Sequence, residues 1–470
     1  MFDIPEKTIF PRMTAEAPGF SVAGEHPAID AVEVDLPVRD DPGGGILQAT
    51  EVDVVRHYTR LSTMNFDIDR GMYPLGSCTM KHNPKVNELV AADPYWADCH
   101  PLWPARYLEA HHRIMNELVE DLKELSGFDG VSLLPAAGAH GELTSVFMMR
   151  AFHEDHGHDK KQVILIPDTA HGTNPASTAM AGFKAKQIPS GPDGYLRYED
   201  VKPFVDDTVA GIMVTNPNTL GIYEKDFRRI ADLMHEHDAL VYMDGANFNA
   251  LMGVFQPAAI GADIMHWNLH KTFTTPHGGG GPGSGPIGFV KRLAPYAPDA
   301  PDMRSIGPVK AFLGQWGMFL RTWCYIRSLG GEGLSEVSRE AVLAANYIRR
   351  KLEGKLHLPY ATPTLHETVF NDKDLPNEVI TKDVAKRLID FGFHPPTVYF
   401  PIMVQGAIMI EPTETEPLEE MDRFVAAMEA ILEECRTDPD MVKSAPHTTP
   451  VRRVDEVKAA RELDLVWPGE

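Results

Sequence analysis

Asn268-Leu269-His270-Lys271-Thr272-Phe273, running on through Pro276-His277 into Gly278-Gly279-Gly280-Gly281, is the stretch that decides the fold. A lone lysine sits among the apolar residues Trp267, Leu269 and Phe273, which argues for its burial. The glycine run beside it is a place where a ligand can come close to the backbone. Upstream, the apolar run Ala239-Leu240-Val241-Tyr242-Met243 ends in Asp244.

Further short apolar runs lie at Val163-Ile164-Leu165-Ile166, 209–214, Ile264-Met265-His266-Trp267 and Ile287-Gly288-Phe289-Val290. Helical spacing of apolar residues marks 106–125, 142–153 and 226–237. Buried strands separated by helices predict an α/β fold with a mostly parallel sheet covered on both faces. In such sheets ligands gather at the carboxyl ends of strands. The polar residues fall there in series: Asp168 and His171, Thr215 and Asn216, Asp244 and Asn247, His270 and Lys271. After Gly330-Gly331-Glu332-Gly333 the pattern changes to helices at 334–352, 382–391 and 418–434 around a Pro-rich strand region at 394–410. The reading is an extended arm at 1–55, a large α/β domain at 56–330, a smaller C-terminal α+β domain at 331–436 and an irregular tail at 437–470.

A strand-end aspartate followed by a lone lysine suits pyridoxal phosphate (PLP). The lysine makes the Schiff base and the carboxylate keeps the pyridine nitrogen protonated. The bland alternatives are a surface lysine and an N-capping aspartate. Gly138-Ala139-His140-Gly141 precedes a helix whose free N–H groups suit a phosphate, or it is a plain tight turn. His171 offers a flat ring to stack on a flat cofactor, or is an ordinary histidine. Asn216 offers a hydrogen bond to a ring hydroxyl, or belongs to a simple Asn-Pro turn. Gly283-Ser284-Gly285-Pro286-Ile287-Gly288 has the form G-x-G-x-x-G but precedes a strand and opens no helix, so a dinucleotide fingerprint is excluded. The histidines of 153–158 read as a solvated helix end, and Met234-His235-Glu236-His237 lacks zinc-protease spacing, so no metal is expected.

The net charge, 44 − 67 = −23, disfavours non-specific nucleic-acid binding. The four cysteines, Cys78, Cys99, Cys324 and Cys435, form no C-x-x-C pair and read as reduced thiols. No signal peptide and no apolar stretch of about 18 residues is visible, which points to a cytoplasmic protein without a membrane span.

Five segments together resemble the P-protein family of the glycine cleavage system. They are Gly76-Ser77-Cys78-Thr79-Met80-Lys81, Ala136-Ala137-Gly138-Ala139-His140-Gly141-Glu142, Ala170-His171-Gly172-Thr173-Asn174-Pro175-Ala176, Asp244-Gly245-Ala246-Asn247, and Asn268 to Phe273 with its glycines. The length is similar to subunit 2 of the split form. The resemblance implies a fold-type I PLP enzyme with a seven-stranded large domain. It implies pairing with subunit 1 in an α2β2 assembly and decarboxylation of glycine with aminomethyl transfer to the lipoyl arm of H-protein. Gly138, Ala139, His140, His171, Asn216, Asp244, Asn247, Lys271 and Thr272 are then the cofactor-binding candidates. Lys271, His171 and His270 are the catalytic ones. The run Gly278–Gly281 is expected to admit the lipoyl arm, and Lys81 is a guess for a basic patch facing H-protein.

Overall fold

The computed structural model describes residues 49–277 and 283–464. Two compact units divide the chain, one from Gly71 to Ala445 and the other combining the chain up to Arg70 with that from Pro446. In the second unit the expected arm already enters a helix at Glu51–Met64, started by Thr50, whose hydroxyl accepts the Asp53 N–H at 3.2 Å. The tail also departs from the irregular chain expected. Asp438 caps a helix at Pro439–Lys443 in the first unit, and Asp455 caps one at Glu456–Arg461 in the second.

The first unit is built on a seven-stranded sheet: β1 (Gly130–Ser132), β2 (Val163–Pro167), β3 (Lys184–Ile188), β4 (Val209–Thr215), β5 (Leu240–Gly245), β6 (Ile264–Trp267) and β7 (Ile287–Phe289). The order is β1-β7-β6-β5-β4-β2-β3, with β7 antiparallel to both its neighbours and the remaining pairs parallel. Side chains alternate between two cores, as a pleated strand covered on both faces requires. Val241 and Met243 join Leu118, Phe227 and Phe319 on one face, while Leu240 and Tyr242 join Val146, Met149 and Phe152 on the other. Two strands carry no apolar run. β1 is three residues long, and β3 is an edge strand whose Lys184-Ala185-Lys186-Gln187 faces solvent, a composition that blunts edge pairing.

A second sheet holds β8 (Thr368–Asn371), β9 (Thr397–Val398) and β10 (Ala407–Ile410) in the order β8-β10-β9, all antiparallel. Helices Thr381–Asp390 and Leu418–Thr437 cover it around Phe370, Leu388, Phe424 and Ile431. The helix expected from Leu334 starts at Trp316 and runs to Leu352, broken at Gly330, where φ 64° and ψ 178° suit glycine alone. The segment before Lys81, placed with the large domain from sequence, joins this second sheet: Leu75 bridges Ile410, and Glu411 N–H reaches Pro74 O at 3.3 Å. Among the described residues no helix is long and apolar enough to cross a membrane.

Candidate active site

Lys271 lies 6% exposed in a single helical turn, Leu269–Thr272, entered from β6 through Asn268. The helix Gly138–Asp155 starts against this turn. A Cβ on Gly138 would stand 1.9 Å from Asn268 Oδ1, so glycine is what allows the approach. No side chain caps that helix, which leaves its first N–H groups and the positive end of its dipole available to an anion. The formal G-x-G-x-x-G has a packing role here: a Cβ on Gly285 would stand 2.0 Å from Ala137 O, so the loop can lie on the helix start. The Thr272 and Ser284 hydroxyls are fully buried without a hydrogen-bond partner. Ala139 is exposed on the first turn, and His140 Nδ1 is turned back to accept the Ala136 N–H at 3.1 Å.

Asp244, 1% exposed, ends β5. Its Oδ1 accepts the Ala246 N–H at 2.9 Å and its Oδ2 the Asn174 amide at 3.2 Å. Burial pushes the carboxyl up, but the rings of His266 and His171 and these two donors more than reverse it, so it lies below its ordinary value. Glu142 faces it from the second turn of the Gly138–Asp155 helix. Burial, and then the Asp244 charge, push Glu142 up to about 7. One of the two thus holds a charge while the other holds a proton. Glu142, His171 and Asp244 bring one polar atom each within 4.8 Å of one another. Thr173 ties them: its hydroxyl donates to Glu142 at 2.6 Å and meets His171 Nδ1 at 2.9 Å. With that hydroxyl proton given to Glu142, Thr173 Oγ1 accepts from Nδ1–H, and Nε2 of His171 keeps its lone pair. Burial lowers the His171 pKa, so the ring is a neutral plate. Behind Asp244, His266 stacks on Tyr242 and meets its hydroxyl at 2.5 Å. Burial pushes His266 down to about 4, so its 3.8 Å approach to Asp244 is a dipolar contact near neutral pH.

Asn216 and Asn247 are buried at the ends of β4 and β5. Asn216 Oδ1 accepts the Glu224 N–H and its Nδ2 has no partner, while Asn247 donates to Pro217 O at 3.0 Å. His270 stands edge-on to His277, 5.1 Å between ring centres, and burial pushes it down to about 3. A ring so hard to protonate is a poor general acid and a weak base. The run Gly278–Gly281, with the lipoyl-arm expectation attached to it, lies outside the described residues. Lys81 is no surface patch: it is 4% exposed, ion-paired to Glu414 at 2.8 Å and donating to Thr272 O at 3.0 Å. His153, read as solvated, is 2% exposed and bonded to Ala210 O at 2.8 Å.

Sequence reasoning missed Glu142, Thr173, Asn174 and His266. It also missed a second buried group beside Lys271, His366, Glu367 and Glu411. A signal existed for Glu411, an acid directly after the apolar run Ala407–Ile410, the same pattern that exposes Asp244. The features fit PLP: an uncapped helix start with unpartnered hydroxyls for a phosphate, an ionised buried carboxylate for a pyridinium, a neutral flat ring, and a buried lysine amine.

Comparison with known proteins adds the family. The family model described as glycine dehydrogenase, C-terminal domain, matches residues 337–449, and that of aminotransferase class-V matches 142–280. The chain is 50% identical over 429 residues to a probable glycine dehydrogenase (decarboxylating) subunit 2 of Staphylococcus haemolyticus, covering 88% of this chain and 87% of that one. It is 47% identical over 462 residues to the protein of that name from Pyrococcus abyssi, covering 93% and 92%. Among solved structures, glycine decarboxylase (P-protein) of the glycine cleavage system in inhibitor-bound form superposes with TM-score 0.68 at 19% identity, over 86% of this chain and 92% of that one. A cysteine desulfurase from Escherichia coli superposes with TM-score 0.61 at 12% identity, over 78% and 95%. These two likenesses show the fold alone, and it is shared by proteins of differing chemistry. The sequence identity is what distinguishes among them, and by it this chain belongs to the glycine dehydrogenase (decarboxylating) subunit 2 family.

Proposed function

We propose that this chain is the PLP-carrying subunit of a glycine-decarboxylating enzyme that hands the remaining aminomethyl group to the lipoyl arm of H-protein. A subunit 1 partner completes it in an α2β2 assembly. The observation that carries the reading is the buried Lys271 turn set between an uncapped helix start and the Asp244–His171–Glu142 group. When bound, PLP supplies an electron sink for the pair left on carbon as carbon dioxide departs. The protein's part is placement. The Gly138 helix start, Thr272 and Ser284 hold the phosphate. Asp244 keeps a proton on the pyridine nitrogen, with Asn174 and Ala246 fixing its oxygens. His171 covers the ring face, oriented through Thr173, and the Asn216 amide is a donor for the ring hydroxyl. The Lys271 amine would anchor the cofactor when it is bound, as the nucleophilic nitrogen of the site.

A cysteine desulfurase needs a loop thiol for sulfur transfer. Cys324 and Cys435 are buried in helices, and Cys78 stands half-buried beside Lys271. Purified chain with PLP is expected to show a visible absorbance band that Lys271→Ala abolishes. Glycine-dependent exchange of labelled carbon dioxide should appear when a subunit 1 chain and lipoylated H-protein are added. A band without exchange in that complete mixture would overturn the reaction while leaving the cofactor in place. Sulfide release from cysteine would favour the desulfurase.

A further inference from the structure

We propose that His366, Glu367 and Glu411 form the subsite that receives the carboxylate of the amino-acid substrate, using neutral hydrogen-bond donors where an arginine would be expected. This rests on the PLP-anchoring role of Lys271 proposed above. The three groups sit at one end of the second sheet. Ile410 pairs with Thr368 across antiparallel β10 and β8, so Glu411, directly after Ile410, and Glu367, directly before Thr368, lie at the same end of the sheet. All three side chains are fully buried, with one polar atom from each within 4.8 Å of the others.

Their hydrogen bonding is incomplete in a specific way. Glu411 is occupied by the Thr79 hydroxyl at 2.6 Å, the Thr79 N–H at 3.2 Å and the Asn249 amide at 3.4 Å. Glu367 Oε2 accepts the Ser77 N–H at 2.9 Å, but its Oε1 has no partner. Neither ring nitrogen of His366 has one, and Nε2 lies 3.7 Å from that free Oε1. Unpartnered polar atoms on two fully buried side chains mark a place for a polar ligand. Lys271 is the cation whose charge reaches all three groups.

Two carboxylates so placed do not both stay ionised. Burial raises Glu411 to about 7, and burial with the Glu411 charge raises Glu367 well above its ordinary range. A protonated carboxyl donates an O–H, and the neutral His366 ring donates one N–H. Among the described residues no arginine is bonded to any of the three. Arg349, buried in the long helix, is taken up by Thr362 O, Ala361 O and the Thr364 hydroxyl. A substrate carboxylate held here has hydrogen bonds but no arginine bonded to it as a countercharge. As the bond between carbon and carboxylate breaks, its electron pair stays on the substrate carbon, the carboxylate's negative charge moves to that carbon, carbon dioxide departs neutral, and no proton leaves the acid pair. Weak holding of the carboxylate and no loss on its departure is binding that favours the transition state over the ground state.

The test compares glycine with methylamine, which has the amine and lacks the carboxylate, through their effect on the visible absorbance of the PLP-loaded complex. Glu367→Ala and His366→Leu are expected to weaken glycine about tenfold or more, the effect of losing a hydrogen bond to a charged group. Methylamine should change less than about twofold on that scale. Glu367→Gln, whose amide still accepts from Ser77 and donates to a carboxylate, should recover glycine binding. Equal weakening of both amines, unchanged glycine binding in Glu367→Ala, or a metal ion that copurifies and is lost in Glu367→Gln would overturn the subsite. If neither amine alters the absorbance of the unmodified complex, the reading of Lys271 fails and the subsite with it.

Discussion

Thr173 joins two side chains with different demands, Glu142 as acceptor and His171 as donor. Thr173→Val keeps the shape and removes both bonds. Cofactor affinity is expected to fall about tenfold, with Thr173→Ser near the original, as followed by absorbance during dialysis. An unchanged affinity would mean that the ring of His171 needs no such guide. Glu224 gives a pH prediction. It is fully buried, and burial raises it from 4.5 to about 7 even though it accepts from Leu196 N–H and Asn218. The folded protein therefore binds more protons at this site than the unfolded chain does between these values. The stability it contributes is present below about 4.5 and is lost as pH rises through about 7. Glu224→Gln starts less stable, since an amide N–H then faces a donor. Its deficit should shrink between about pH 5 and about pH 7 by on the order of 3 kcal/mol at most, read from denaturant unfolding. A deficit that grows over this range would contradict the assignment. At this scale Lys271 and Asp244 were legible because apolar strands point at them. Thr173 and Glu142 were not, because their meaning lies in contacts 31 residues apart that no local pattern records.

Elements were legible where burial writes a run into the sequence. β2, β4, β5 and β6 lie between two cores and are mostly apolar. β3 is exposed from Lys184 to Gln187 and has an edge to guard, so its lysines hide it, and β8 begins with the buried Thr368 directly after His366 and Glu367. The long helix was shortened in the reading because the glycines around 330 resemble a stop signal. A single residue of left-handed backbone at Gly330 absorbs them instead. Gly285 supplies the prediction here. Gly285→Ala places a Cβ against the Ala137 carbonyl, a backbone atom that cannot turn aside. The helix start must shift, and affinity for PLP should drop at least about tenfold while affinity for phosphate-free pyridoxal changes little. Loss of both alike would indicate general damage to the site.

At the scale of the molecule, several of the buried polar atoms without partners among the described residues lie near the strand ends, among them Asn216 Nδ2, Thr272 Oγ1, Asn268 Oδ1 and Ser284 Oγ. Buried groups of this kind cost stability until a ligand satisfies them. Saturating PLP is expected to raise the melting temperature markedly, in line with about 2.7 kcal/mol at a hundredfold excess over Kd, and Lys271→Ala should show a much smaller rise. The sequence revealed the α/β class and the strand ends on which the candidate residues fall. It did not reveal that residues 72–82 and 366–414 close the same site, because they are brought there by pairing between distant segments. Lys81 joins Thr272 and Glu414 across 191 and 333 residues of chain. That spacing has a consequence for synthesis on the ribosome. At about 5–20 residues per second, roughly 20–70 s separate the appearance of Lys81 from that of Glu414. Throughout that interval the nascent chain carries a lysine whose counterion has yet to be made, so the pocket closes only when translation is nearly over.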